Sequence, residues 1–148
     1  VEVTGPKSLK TGVIMRRKHR TLVMDNSTVC GRINNTMAKL KATYPTKQII
    51  LLTPIHRGDA FLSDRNIQPD EMHANGIGEY IDAYVDVVKE AGNVRAVPVI
   101  DLGALSGLYP MVDAHKQYFT NKDTDALHPN DAGHVLIKNR LIGFLKTL

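Results

Sequence analysis

Asp125 and His128 stand three residues apart near the end of the chain, in the run Asp125-Ala126-Leu127-His128-Pro129-Asn130-Asp131-Ala132-Gly133-His134. A carboxylate at that spacing can turn back and accept a hydrogen bond from the imidazole Nδ1–H. The tautomer is then fixed, and Nε2 is left free to take a proton from a hydroxyl nucleophile. The same carboxylate stabilises the imidazolium once the proton has moved. Because both groups share one short loop, aligning them costs little entropy. Pro129 biases His128 away from helical geometry. Asn130 or Asp131 can cap the next helix, since either side chain can accept from a free N–H of the first turn. Val135, Leu136, Leu141, Ile142 and Leu145 recur at helical spacing and predict that closing helix over 131–147.

The longer pattern, Asp-x-x-His-Pro-Asn followed by Gly133-His134 at the opening of a helix, resembles the last block of the SGNH hydrolases, also called GDSL esterases and lipases. In that family the Asp and His of this block are the acid and base of a Ser-His-Asp triad. The resemblance carries those roles to Asp125 and His128 and to no other residue here. Asn130, Gly133 and His134 match companions of the motif. It implies a three-layer α/β/α, flavodoxin-like fold with a parallel sheet and no cofactor. It also implies cleavage of a carboxylic ester, whose small-molecule, carbohydrate or lipid nature the sequence leaves open.

Other residues are candidates for the same site. Gln48-Ile49-Ile50-Leu51-Leu52-Thr53 reads as a buried parallel strand. His56 and Arg57 follow its C-terminal end, where open α/β sheets collect ligands, and are expected to line the substrate site. Arg57-Gly58-Asp59 spells an adhesion tripeptide by letters alone. Asp25-Asn26-Ser27 is one residue from the Gly-Asp-Ser nucleophile block of the family. Here it opens an amphipathic helix instead of following a strand, and is read as a decoy. Asp101 closes a second strand and is expected to have a structural role, capping the segment after it. Asp125, His128 and His134 could alternatively ligate a metal in a metal-dependent hydrolase, but the two histidines lie six apart, off one helix face, with no clear third ligand.

The elements that position these residues follow from periodicity. A helix is expected over 28–43, with Val29, Ile33, Met37 and Leu40 on one face, Ser27 or Thr28 as cap, and Tyr44-Pro45 as its end. Strand 48–53 comes next, and then a polar loop from 59 to 75. A helix over 77–91 is expected to be stopped by Gly92-Asn93. Strand 97–101 comes after it, with Pro98 at its start or on an edge. Residues 104–125 read as mostly loop with one short helical piece. The two strands are expected to lie parallel, with the helices on the sheet faces.

The resemblance covers residues 28–148 and describes the back half of such a domain. No Gly-Asp-Ser follows a strand, and neither the glycine nor the Gly-x-Asn-Asp of the next blocks is present; in the family these supply the nucleophile and oxyanion hole. The expectation is therefore a single domain over 1–148 that forms the C-terminal portion of a longer or nicked hydrolase. Its partner would be an upstream segment bearing the serine, and 1–27 would be a basic insertion or loop. A catalytically incomplete binding module of the same fold is the alternative. Ser27, Ser63 and Ser106 are the fallback nucleophiles.

Composition adds bounds. The 148 residues carry a net charge of +4. Lys7, Lys10, Arg16, Arg17, Lys18 and Arg20, against Glu2 alone, place that excess in the first twenty residues. The rest holds 13 basic and 14 acidic side chains, so the basic character is local and nucleic-acid binding is not expected. No apolar run is long enough to span a membrane, and no signal-peptide pattern is present. The lone Cys30 excludes an internal disulfide framework without fixing the compartment.

Overall fold

The structure is a computed structural model that describes residues 23–148. Residues 1–22, which carry the basic excess and most of the expected insertion or loop over 1–27, lie outside the described residues. The fold is mixed α/β with a parallel sheet and helices. The described chain divides into two compact units. One runs up to Thr53 and again over Asn75–Val99; the other comprises Pro54–Ala74 and Ile100–Leu148.

The first unit opens with helix α1, Val29–Thr43. Thr28 is its cap: Oγ1 accepts from the Gly31 N–H at 2.9 Å and donates to the Asp25 carbonyl at 2.8 Å. The Asp25 carboxylate accepts from the Ser27 N–H at 2.8 Å and from its hydroxyl at 2.7 Å. Asp25-Asn26-Ser27 is thus a turn that starts a helix. The helix ends at Tyr44, ahead of Pro45. Its buried face is Cys30, Gly31, Asn34 and Met37, rotated from the expected face because Cys30 and Asn34, not Val29 and Ile33, go deepest. The buried Asn34 amide donates through Nδ2 to the Val23 carbonyl at 2.9 Å.

Strand β1, Leu51–Leu52, is shorter than the expected 48–53. Helix α2 spans Ile81–Arg95. It starts later than expected because Asn75 Oδ1 accepts from the N–H groups of Ile77 and Glu79, both at 3.0 Å, and so holds a turn first. It also runs through Gly92-Asn93 and closes only at Ala96, which adopts φ 52°. Gly92 is therefore not a stop signal. Strand β4, Val99–Ile100, pairs with β1 in the parallel sheet, and Leu51 N–H donates to the Pro98 carbonyl at 2.9 Å. Pro98 sits just before the strand, where it costs no ladder bond of its own. Cys30, Val87 and Ala91 form the core, packed by Ile33, Leu51, Ala83 and Tyr84.

The second unit holds a four-stranded antiparallel sheet that periodicity does not predict. The expected loop over 59–75 contains a hairpin of β2, Ala60–Ser63, and β3, Asn66–Gln68. Short helix α3, Leu102–Leu105, is capped by Asp101, whose carboxylate accepts from Ala104 N–H at 3.2 Å. A 3₁₀ helix at Asp113–Tyr118 leads to β5, Phe119–Asn121. The Asp-x-x-His run is itself strand β6, Asp125–Pro129, and not a loop. Sheet order is β3-β2-β6-β5. These strands escape periodicity because β2 and β3 are mostly exposed and are defined by backbone pairing, not by a buried stripe. Helix α4, Asp131–Leu145, closes the chain; Gly133 is its one buried residue, and Val135, Ile142 and Leu145 are exposed.

Candidate active site

The site is built within the second unit, where β6 enters α4. Asp125 is the hub. Its Oδ1 accepts from the backbone N–H groups of Leu127 at 3.1 Å and His128 at 3.0 Å, which bends the strand end around the carboxylate. The imidazole Nδ1 of His128 lies 3.0 Å from both carboxylate oxygens. The Asp125 side chain is only 12% exposed, whereas that of His128 is 56% exposed. Burial pushes the Asp125 carboxyl up. The His128 N–H, the imidazole and the Leu127 N–H outweigh it and hold the group below its ordinary value. Asp125 thus stays ionised as a fixed acceptor, while His128 faces solvent with Nδ1 engaged.

The companions of the motif hold this corner. Asn130 caps α4, its Oδ1 accepting from Gly133 N–H at 3.1 Å. Its Nδ2 donates to the carbonyls of Gln117 and Phe119, each at 2.8 Å, so one side chain ties the helix start to the 3₁₀ helix and β5. A Cβ added at Gly133 would collide with the Tyr118 carbonyl and lie 3.0 Å from Pro129 Cβ, so a larger residue has no room. His134 opens the helix, its N–H donating to the Asn130 carbonyl at 2.8 Å.

His56 and Arg57 reach the same corner through the backbone. Gly58 N–H donates to the Ala126 carbonyl at 2.8 Å, and Ala126 N–H donates to the Asp59 carbonyl at 2.9 Å. Ala60 pairs with Asp125 in the antiparallel ladder. His56 precedes Gly58 by two residues and His128 follows Ala126 by two, so both leave one end of the ladder. Gly58 is a packing glycine within the Arg-Gly-Asp letters: a Cβ there would lie 2.6 Å from Ala126 Cβ.

Two residues of this corner carry no signal in the sequence. Glu71 closes on His56 and Arg57: its carboxylate oxygens both lie 2.9 Å from His56 Nδ1, and Oε2 accepts from Arg57 N–H at 3.0 Å. Glu71 N–H donates in return to the Arg57 carbonyl at 3.3 Å. The Tyr109 and His56 rings meet in a T-shaped contact, centroids 5.0 Å apart and planes at 77°. Glu71 is far along a polar stretch with no spacing to flag it, and only the hairpin brings it back. The Arg57 guanidinium is committed through Nη2 to the Pro69 carbonyl at 2.8 Å.

Of the fallback serines, Ser27 donates its hydroxyl to Asp25, and the buried Ser106 accepts from Leu108 N–H at 3.2 Å. Ser63 is on exposed β2. Among the described residues no three of His, Cys, Asp and Glu converge as metal ligands, so Asp125, His128 and His134 do not form the alternative metal site. Among the described residues no helix is long and apolar enough to cross a membrane.

No protein-family model matches the chain, and no curated protein does. Solved structures do. One is 25% identical with a TM-score of 0.74, over 85% of this chain and 55% of its own. A protein from Lactobacillus plantarum is 24% identical with a TM-score of 0.69, over 83% of this chain and 55% of its own. A possible lipase from Chitinophaga pinensis is 21% identical with a TM-score of 0.64, over 83% of this chain and 62% of its own. These likenesses establish the α/β fold. The chain spans 55% to 62% of the length of those structures.

Proposed function

We propose that this chain is the C-terminal portion of an SGNH-type domain and supplies the acid and base of a serine ester hydrolase. The observation that carries the reading is the His128 Nδ1–Asp125 pair at 3.0 Å, with the carboxylate largely shielded and the imidazole exposed. The fold shared with a possible lipase supports it. The nucleophile is assigned to a serine on an upstream segment of the same protein. The exposed Val135, Ile142 and Leu145 of α4 support such a segment, as apolar surface for it to cover.

The serine hydroxyl attacks the ester carbonyl while His128 Nε2 takes its proton. Asp125 accepts from Nδ1–H throughout and stabilises the imidazolium. The tetrahedral intermediate collapses, His128 protonates the leaving alcohol, and water repeats the cycle on the acyl-enzyme. No cofactor enters. His56 and Arg57 line the substrate side, and the ester is a small-molecule, carbohydrate or lipid ester.

The test is hydrolysis of 4-nitrophenyl acetate by the full-length protein. His128→Ala is expected to lower kcat by several orders of magnitude, and Asp125→Asn by roughly 10⁴-fold. Loss of activity in neither variant overturns the assignment. A catalytically incomplete binding module is the second reading, favoured by the engagement of Ser27 and Ser106 elsewhere; a full-length protein that binds esters without turnover would establish it.

A further inference from the structure

Besides Asp125–His128 the second unit holds two more imidazole–carboxylate pairs, His56–Glu71 and His73–Asp70, and of the three His56–Glu71 is the best shielded on the acid side. Glu71 is 8% exposed at its side chain and His56 34%. Glu71 accepts from His56 Nδ1 with both oxygens within 2.9 Å and is itself locked by Arg57 N–H. Three bonds between residue 71 and residues 56–57 close the hairpin segment onto this histidine. A neutral imidazole so held carries its proton on Nδ1, and Nε2 is then an acceptor only.

An ester group offers acceptors, a carbonyl oxygen and an ether-type oxygen, and no donor. An imidazole fixed as an acceptor has nothing to bind in a simple alkyl ester. Its match is a hydroxyl elsewhere on the substrate. Tyr109, 40% exposed, adds an aromatic ring beside His56, a surface suited to the C–H face of a polyol ring. His56 leaves the ladder at the same end as His128, so a molecule whose ester lies at His128 can present its hydroxyls to His56.

We propose that His56 is a hydroxyl-recognition residue: Glu71 holds its imidazole in the Nδ1–H tautomer, and Nε2 accepts from a hydroxyl on the alcohol part of the substrate, which makes the substrate class an ester of a polyhydroxylated alcohol. The ester half of this statement rests on the hydrolase reading above; the hydroxyl half does not. Glu71 is a positioning residue, since it acts through His56.

The test uses the full-length protein with ¹⁵N-labelled imidazoles at about pH 8, where neutral imidazole is the ordinary form. The His56 signals are assigned by their loss in His56→Gln. Methyl glucoside is the probe, and its fully O-methylated analogue, which has no hydroxyl, is the control. The expected result is an Nδ1–H tautomer at His56 and an Nε2 shift with methyl glucoside but not with the control. Glu71→Gln, whose amide keeps an acceptor for Arg57 N–H but can also donate to Nδ1, should release the tautomer. On acetylated methyl glucoside against its O-methylated counterpart, the ratio of kcat/KM values should fall about tenfold or more in both variants. An Nε2–H tautomer in the unsubstituted protein, or no shift with methyl glucoside, overturns the proposal, as does an unchanged ratio. If no ester is hydrolysed at all, the hydrolase reading fails, and the tautomer and probe shift still decide the hydroxyl site.

Discussion

Gly58 donates its N–H to the Ala126 carbonyl at 2.8 Å, a bond that lies two residues after His56 and two before His128. Asp125 and His128 belong to one strand, while His56 and Glu71 belong to the segment that pairs with it through residues 58–60. The antiparallel ladder makes two residues upstream of Gly58 and two downstream of Ala126 leave together. Two stretches about 70 residues apart, each carrying a carboxylate-held imidazole, are thus joined by a few backbone bonds.

Gly58→Val tests that alignment. The added Cβ would meet Ala126 Cβ at 2.6 Å, the Ala126 carbonyl at 3.1 Å and Pro110 Cβ at 3.3 Å. Backbone and a proline ring cannot step aside as a flexible side chain can. The variant should lose about 1–3 kcal/mol in urea unfolding, and its activity should fall further than stability alone explains.

Asn130 makes three bonds with one amide group, and its replacements separate them. Asn130→Ala removes the helix cap and the donors to Gln117 and Phe119, and should cost roughly 1–3 kcal/mol. Asn130→Asp keeps the cap oxygen but sets a second acceptor against two carbonyls. It should be no more stable than the alanine variant, although Asp is as good a cap as Asn on an ordinary helix. Denaturation midpoints of the two proteins decide this.

Local chemistry made the helices readable. Thr28 before Val29 and Asn130 before Asp131 are caps visible as letters, and the apolar spacing behind them needs no distant partner. The Asp125–His128 pair was readable for the same reason, since both groups lie on one short stretch. The hairpin was not. Phe61, Leu62 and Ile67 are exposed, so no buried stripe marks β2 and β3, and their registry depends on a strand some sixty residues later. Glu71 was hidden with it. Fifteen residues separate it from His56, and only the closed hairpin makes that separation a contact. Gly92 misled because its role is close packing against Val97 and Val99, which a sequence cannot distinguish from a helix stop.

Cys30 reports on the first unit. It is fully buried, and its thiol is pushed up to about 11 by burial, with the Glu90 carboxylate adding to the shift. The thiolate is the reactive form, so at about pH 8 iodoacetamide should not label the folded protein, and labelling should rise with unfolding of the first unit. Fast labelling without denaturant would contradict the buried face assigned to α1.

Asp125 should link stability to acid. Its folded value is depressed, so it binds its proton less readily in the folded state than in the unfolded one. Such a group contributes stability that is fully present above the unfolded value, near 3.9, and is lost as pH falls through the folded value. Asp125→Asn has no proton to bind and lacks this dependence. The stability difference between the parent protein and Asp125→Asn should therefore be largest and flat from about pH 5 upward, and should shrink below about pH 4. The measurement is urea unfolding of both proteins across that range. A difference that grows as pH falls would mean the carboxyl is raised, with burial dominating over the N–H groups of Leu127 and His128 and the imidazole that surround it.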